Sequence, residues 1–380
     1  MEPIKVLLVS GTRADFSKQE DLIKSIATGP KNIKAEIFCT GMHMRPDLGN
    51  THVQFDELVP MGVKVHKRSN SCEEGMAVSF LETGKAFEKI LNEDHYDAVI
   101  LHGDRLEPLA CAVMALIKGV KIMHIEGGEL SGTIDEVIRH AISKMAHYHL
   151  VANDVAKERL IAMGENPGSI YLFGSLDIQI MLNRELPTWE EVSQRYFVKA
   201  DEFSLVLLHS VVTDPEQTLM FAKLLKRYIE LKRDHFFIII APNSDDGSNS
   251  ISSVFSEITS DNFKMIPSMR FDHYLSALKI CRVLIGNSSS GIREAPIYGV
   301  PVINLGTRQL GRSAELYEGM VNIEAPDEKM LFPRLDAFIS QFERFEPKNE
   351  FGQYDSIAVF KTAMSDLLLG KIALQKVFFE

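Results

Sequence analysis

The sequence predicts an α/β protein of two domains, each built on a parallel, doubly wound sheet. Three observations predict it. The chain has 380 residues, 45% of them hydrophobic, more than one core usually organises. Short β-rich apolar runs alternate with longer amphipathic stretches in both halves, the rhythm of βαβ units. Around residues 182–196 that rhythm gives way to a polar stretch holding Pro187 and the only tryptophan, Trp189, and then restarts.

In order, the expected strands of the first half are Lys5–Val9, Ala35–Cys39, Ala98–Leu101, Lys121–His124, His149–Ala152 and Ile170–Phe173. The stretches between them carry apolar residues at three- and four-residue spacing and are expected helices. The domain boundary falls near residue 180. The second half offers Leu205–Leu208, Phe236–Ile240, Phe263–Ile266, Val283–Ile285, Val302–Asn304 and Val321–Ile323 as strands, with helices such as Thr218–Lys232 and Phe271–Ile280. Asn243–Ser253, rich in Asn, Asp, Gly and Ser, is an expected loop over a strand's carboxyl end, where ligands of open α/β sheets sit.

A formal net charge of −11 argues against nucleic acid or an anionic membrane as partner, since both need a positive field. Cys39, Cys72, Cys111 and Cys281 are too scattered for a disulfide framework or a zinc site and are expected as free thiols. The longest apolar run, Leu109–Ile117, is far too short to span a bilayer, and no cleavable signal pattern opens the chain. The expectation is a cytoplasmic protein without a membrane partner.

Four places carry chemistry. GTRADFSK, Gly11 to Lys18, follows the first strand and sets Arg13 and Lys18 at the mouth of the sheet. It lacks both the dinucleotide and the P-loop patterns, and by itself it fits a solvated turn as well as an anion site. GNSSSGIRE, Gly286 to Glu294, also follows a strand. A helix N-cap explains one serine, whereas three in a row with Glu294 beyond suit a phosphate held by hydroxyls and amides and a ribose held by the carboxylate. GDRLE and HIEGGE each end an apolar run, so Asp104 and Glu126 project from carboxyl ends of neighbouring strands, where paired carboxylates suit proton transfer. Asp135, considered alone, reads as a helix cap, and His209 stands at the end of the second half's first strand. His140, His147 and His149 lack metal-ligand spacing and are expected to pack within helix and sheet, so no metal is expected.

These motifs, in this order, resemble the hydrolysing UDP-N-acetylglucosamine 2-epimerases. The resemblance rests on GTRADFSK, TGMHM with GNT after it, HGDRLE, HIEGGELSGTIDEVIRHAISK, PNSDDG, GNSSSGIREAPIYGVPVINLGTRQ and the trailing Gly311-Arg312, and covers nearly the whole chain. HIEGGE and GTRADFSK favour the hydrolysing branch. The resemblance implies two Rossmann-like domains facing across a cleft, as in GT-B glycosyltransferases: residues 1–180, and residues 181–355 binding UDP, with a helix from about residue 356 returning to the first domain. It implies a homodimer or homotetramer, no metal and no cofactor.

The implied reaction removes the sugar's C2 proton, expels UDP from C1 to leave a 2-acetamidoglucal, and adds water with inversion at C2. It is the first step towards sialic acid. On this resemblance Asp104, Glu126 and Asp135 match the acid/base carboxylates. Arg13, Lys18, Arg105, His209, Asn243, Ser288, Ser289, Ser290, Glu294 and Arg308 match the UDP-binding positions, His209 being counted with the catalytic set as well. Ser210-Val211-Val212-Thr213 departs from the family pattern after His209. A sister substrate, UDP-2,4-diacetamido-2,4,6-trideoxyglucose, shares every one of these residues and would be discriminated near His43 and Met44. A GT-B glycosyltransferase and a non-catalytic nucleotide-sugar sensor are the readings from other classes.

Overall fold

A computed structural model describes residues 3–29, 32–46, 51–68, 75–243, 245–312, 317–341, 343–352 and 354–380, without the side chains of Arg13 and Ala14. The chain divides into two compact units. One comprises Met1–Glu129, Asp135–Leu182 and Phe351–Glu380, the other Leu130–Ile134 and Asn183–Glu350.

The first unit runs β1 (Ile4–Ser10), α1 (Arg13–Ala27), β2 (Ile33–Cys39), β3 (Lys64–Lys67), α2 (Met76–Glu93), β4 (Ala98–His102), α3 (Leu106–Ile117), β5 (Lys121–Ile125), α4 (Ile134–Met145), β6 (Tyr148–Val151), α5 (Asp154–Ala162), β7 (Ile170–Leu172) and α6 (Leu176–Asn183). All its strands are parallel, in the order β3-β2-β1-β4-β5-β6-β7. The order reverses between β1 and β4, the switch point at which doubly wound sheets bind ligands. Near-continuous apolar strands follow from burial on both faces. In β1, Val6 and Leu8 face one core with Ile37, Ile100 and Phe360, while Leu7 and Val9 face the other with Phe38, Val99 and Ile138. Each such side chain contributes about 1.5–3 kcal/mol on burial.

The second unit continues with α7 (Trp189–Tyr196), β8 (Phe203–Leu207), α8 (Pro215–Leu231), β9 (Phe236–Ile240), α9 (Ser248–Ser256), β10 (Phe263–Ile266), α10 (Phe271–Ile280), β11 (Leu284–Gly286), α11 (Ser290–Arg293), β12 (Val302–Leu305), β13 (Met320–Ile323) and α12 (Glu328–Ser340). Its parallel sheet, in the order β10-β9-β8-β11-β12-β13, switches between β8 and β11. The last helix, α13 (Ser356–Leu368), belongs to the first unit, where Phe360, Ala363, Met364 and Leu367 enter the core that holds Val6 and Leu8.

Two sequence expectations need correction. Asn243–Ser253 is not all loop: α9 starts at Ser248, because Ile251, Val254 and Phe255 form a buried face that outweighs the polar composition. β3, with the sequence KVHK, was not among the expected strands. It is an edge strand whose pattern is not apolar, and it is held by pairing with β2 and by His66, whose Nε2 lies 2.6 Å from Glu36 Oε2. Cys39, Cys111 and Cys281 are free and buried, and Cys72 lies outside the described residues. Among the described residues, no helix is long and apolar enough to cross a membrane, and no three His, Cys, Asp or Glu side chains are placed to hold a metal ion.

Candidate active site

In the first unit the chemistry gathers where β1 and β4 part. Thr12 caps α1 in a capping box: its hydroxyl accepts from the Asp15 amide at 3.1 Å, and its own amide donates to Asp15 Oδ2 at 3.0 Å. This leaves Asp15 Oδ1 for His102, the last residue of β4, whose Nδ1 is 3.3 Å away. His102 Nε2 in turn lies 3.4 Å from Glu126 Oε1, an ion-pair separation. The ring is almost wholly buried. Burial alone would strip its proton, but Glu126 and Asp15 outweigh it and push its pKa up to about 9. Asp15 in turn stays ionised below the usual carboxylate range, the His102 and Lys18 charges outweighing its own burial.

Glu126 follows β5 with a φ of 66°, a left-handed conformation uncommon for a residue with a side chain. Its amide donates to the Leu150 carbonyl at 2.9 Å. Gly128 keeps the turn open at a φ of 80°, where a Cβ would come within 2.4 Å of the Ala156 carbonyl oxygen. The HIEGGE turn thus spends conformational energy to aim a carboxylate.

Asp104 is placed by a different device. His124, buried and held neutral with its pKa pushed down to about 3, pairs Nδ1 with Ser143 Oγ at 3.0 Å and Nε2 with the Gly103 carbonyl at 2.8 Å. The next residue, Asp104, accepts a charge-assisted hydrogen bond from Arg139 of α4, which also donates to the Glu129 carbonyl at 2.9 Å. The two carboxylates that the sequence pairs therefore each have a cation of their own. Asp135 lies in the first turn of α4, where a carboxylate is favoured by the helix dipole, one turn ahead of Arg139.

Of the expected UDP ligands in this unit, Lys18 Nζ is 2.9 Å from Asp177 Oδ2, a carboxylate with no exposed side chain. Arg105 is the N-cap residue of α3, with Nε 3.8 Å from Glu107 Oε2. The Arg13 side chain lies outside the described residues. His43, expected near the sugar, is fully buried, with Nε2 3.0 Å from Ser10 Oγ at the end of β1 and Nδ1 2.6 Å from Thr51 Oγ1.

The second unit repeats the design where β8 and β11 part. Gly286 has a φ of 141°, and a Cβ there would fall 1.8 Å from the Leu207 carbonyl oxygen, so only glycine lets the strands run this close. The side chain of Asn287 then grips the backbone of His209 twice, accepting from its N–H and donating to its carbonyl, both at 2.8 Å. His209 Nδ1 accepts the Asn243 amide at 3.2 Å. The departure after His209 is accommodated by Ser210, whose hydroxyl donates to the Asp246 carbonyl at 2.6 Å. Asn243 itself bonds Asp245.

Ser288 and Ser289 are half-buried, and Ser289 caps α11 without a side-chain hydrogen bond, so helix capping does not account for its hydroxyl. Ser290 is buried against the Tyr274 hydroxyl. Glu294 is buried where α11 passes into a 3-10 turn at Ala295–Tyr298. Arg308 and Gln309 both donate to the Asn287 carbonyl, at 3.2 and 2.9 Å. Asp15, His102, Asn287 and Gln309 escaped the sequence reading. All four lie inside motifs quoted above, but Asp15 and His102 acquire meaning only through each other, a pairing that no motif shows.

The profile of the UDP-N-acetylglucosamine 2-epimerase family matches residues 27–357. The chain belongs to this family. A UDP-N-acetylglucosamine 2-epimerase of Neisseria meningitidis is 37% identical over 313 residues, 81% of each chain. A hydrolysing UDP-N,N'-diacetylbacillosamine 2-epimerase of Legionella pneumophila is 32% identical over 310 residues, 80% of this chain and 81% of that one. The Methanocaldococcus jannaschii UDP-GlcNAc 2-epimerase, solved with UDP-GlcNAc and UDP, has the same fold: a TM-score of 0.73 at 18% identity, over 95% of this chain and 99% of that one. The chain is thus an epimerase-family enzyme with two parallel-sheet α/β domains of the GT-B-like class.

Proposed function

We propose that this chain hydrolyses UDP-N-acetylglucosamine with inversion at C2, releasing N-acetylmannosamine and UDP. The observation that carries the reading is the cluster of carboxylates around the ends of β4 and β5, Glu126 beside a buried imidazolium and Asp104 beside a buried guanidinium, in a chain 37% identical to a UDP-N-acetylglucosamine 2-epimerase. A sugar C2–H is barely acidic, so its removal needs a positioned base and a leaving group whose charge is held elsewhere.

In this reading one of Asp104, Glu126 and Asp135 takes the C2 proton. The C1–O bond breaks with its electron pair leaving on the UDP diphosphate, and the 2-acetamidoglucal remains. Water then adds, its hydroxyl to C1 and a proton to the opposite face of C2. In the second unit Ser288, Ser289, Ser290, Asn243, His209 and Arg308 are UDP-binding residues and Glu294 holds the ribose; in the first unit Arg13, Lys18 and Arg105 are UDP-binding residues. No metal or redox cofactor takes part, and the enzyme works in the cytoplasm as a homodimer or homotetramer. A relative named polysialic acid biosynthesis protein P7, 32% identical over 350 residues, supports a place before sialic acid.

A second substrate has specific support. Two relatives, at 32% and 30% identity, are named hydrolysing 2-epimerases of nucleotide-linked N,N'-diacetylbacillosamine, the 2,4-diacetamido-2,4,6-trideoxy sugar. One experiment separates the substrates. The protein is incubated with UDP-N-acetylglucosamine in deuterated water without metal, and proton NMR follows the products. UDP with free N-acetylmannosamine deuterated at C2 is the expected result. An inert mixture, with turnover of the diacetamido sugar instead, moves the assignment to that substrate. Inertness towards both removes the hydrolysing reading.

A further inference from the structure

His102 is a buried cation among carboxylates at the end of β4. Asp15 of α1 faces its Nδ1 at 3.3 Å and Glu126 faces its Nε2 at 3.4 Å. Lys18 and His124 also bear on it. Lys18 of α1 disfavours its charge but is tied to Asp177 of α6, and His124 of β5 is kept neutral by burial. Helix capping does not account for Asp15, because the cap uses Oδ2 and leaves Oδ1 to His102.

We propose that His102 is a positioning residue: a standing imidazolium clamped between Asp15 and Glu126, it keeps the Glu126 carboxylate ionised and aimed while the sugar's C2 proton is transferred. The inference rests on the reading of Glu126 as one of the proton-transfer groups. Its charge balance is specific. With Glu126 ionised, the three groups sum to one negative charge, and when Glu126 takes up a proton they sum to zero. Asp15 keeps His102 charged at both stages. An imidazolium whose two N–H groups face carboxylates has no lone pair for a further proton, so His102 is a fixed counter-charge and not a shuttle towards Asp15. The clamp also holds the carboxylate of a residue whose left-handed backbone would otherwise relax.

Two readouts test this on the full chain. Imidazole nitrogen NMR follows His102 in the wild type, Asp15→Asn and Glu126→Gln. Its titration is expected near pH 9 in the wild type, and at least about one unit lower in each variant. UDP release from the acetamido sugar is measured across about pH 5 to 10 in the wild type, His102→Gln and Asp15→Asn. His102→Gln should lower kcat about tenfold or more while KM moves less than about threefold, and should raise the acidic limb of the profile by about one unit. Asp15→Asn should instead pull the alkaline limb down, and it carries the test if His102→Gln does not fold. A His102 that is neutral at pH 7 in the wild type overturns the proposal. So does a His102→Gln enzyme whose kcat is unchanged, or whose kcat falls with both limbs in place. A wild type that turns over no UDP-acetamido sugar removes the functional reading and this inference together, whereas normal turnover with a neutral His102 removes the inference alone.

Discussion

Asn287 organises three neighbours with one side chain and one carbonyl: the His209 backbone, Arg308 and Gln309 all converge on it. Asn287→Ala removes both side-chain hydrogen bonds to the half-buried backbone of His209, which costs about 1–3 kcal/mol. UDP affinity, read by calorimetric titration, should fall about tenfold or more with that loss. On the proposed function the carboxylates act differently, being needed for the chemistry and not for holding UDP. Asp104→Asn, Glu126→Gln and Asp135→Asn should each slow UDP release from the nucleotide sugar by about 10²–10⁴-fold, while UDP still binds. An equal loss of UDP binding in these variants would place them in nucleotide recognition instead.

At the scale of elements, the segment after α13 is tied to the first unit by a buried carboxylate. Glu165, just beyond α5, receives His149 Nε2 at 3.1 Å, Lys144 Nζ at 2.9 Å and Lys376 Nζ at 2.6 Å. Burial would raise its pKa, but these donors outweigh burial and bring it down to about 2. A depressed carboxylate contributes stability that is present above its unfolded pKa and is lost as pH falls through the folded value. Glu165 should therefore contribute about 1–3 kcal/mol at neutral pH, lost between about pH 4.5 and 2. Melting temperatures of Glu165→Gln and the wild type should differ at pH 7 and converge on acidification. A constant gap across that window would show that packing, and not charge, holds the segment. His147 serves the same tie: its Nδ1 accepts from the Ile122 amide at 3.1 Å, and its Nε2 faces the Leu374 carbonyl at 2.9 Å. His147 and His149 are thus sheet and tail packing.

At the scale of the whole molecule, each unit has its own core and its own switch point. A ligand that binds only the native state stabilises it by about 2.7 kcal/mol at a hundred times its Kd, but local exchange reports where it acts. With UDP added, amide hydrogen exchange should slow at residues 287–290 and at His209. Protection confined to other strands, with these amides unchanged, would place the nucleotide elsewhere. The fold class and the motif positions were legible in the sequence because strand ends in a doubly wound sheet recur after each apolar run, and glycines there mark where a turn must begin. The edge strand β3 was not legible because KVHK carries no apolar alternation, and α9 was hidden behind polar residues that do not face its core.

By itself the sequence determined two parallel-sheet domains, the family, and which strand ends would carry carboxylates and which would carry serines. The domains and the strand ends depend on local period and composition, which any short window of residues exposes, whereas the family rested on the resemblance of whole motifs. Only the tertiary structure decided the partners. Asp15 meets His102 across 87 residues of chain, Asp104 meets Arg139 across 35 and His209 meets Asn287 across 78. It also buried His43 and gave Asp104 and Glu126 separate cations. The physical reason is that a side chain's charge state and aim depend on burial and on neighbours distant in sequence, neither of which exists until the sheet has assembled.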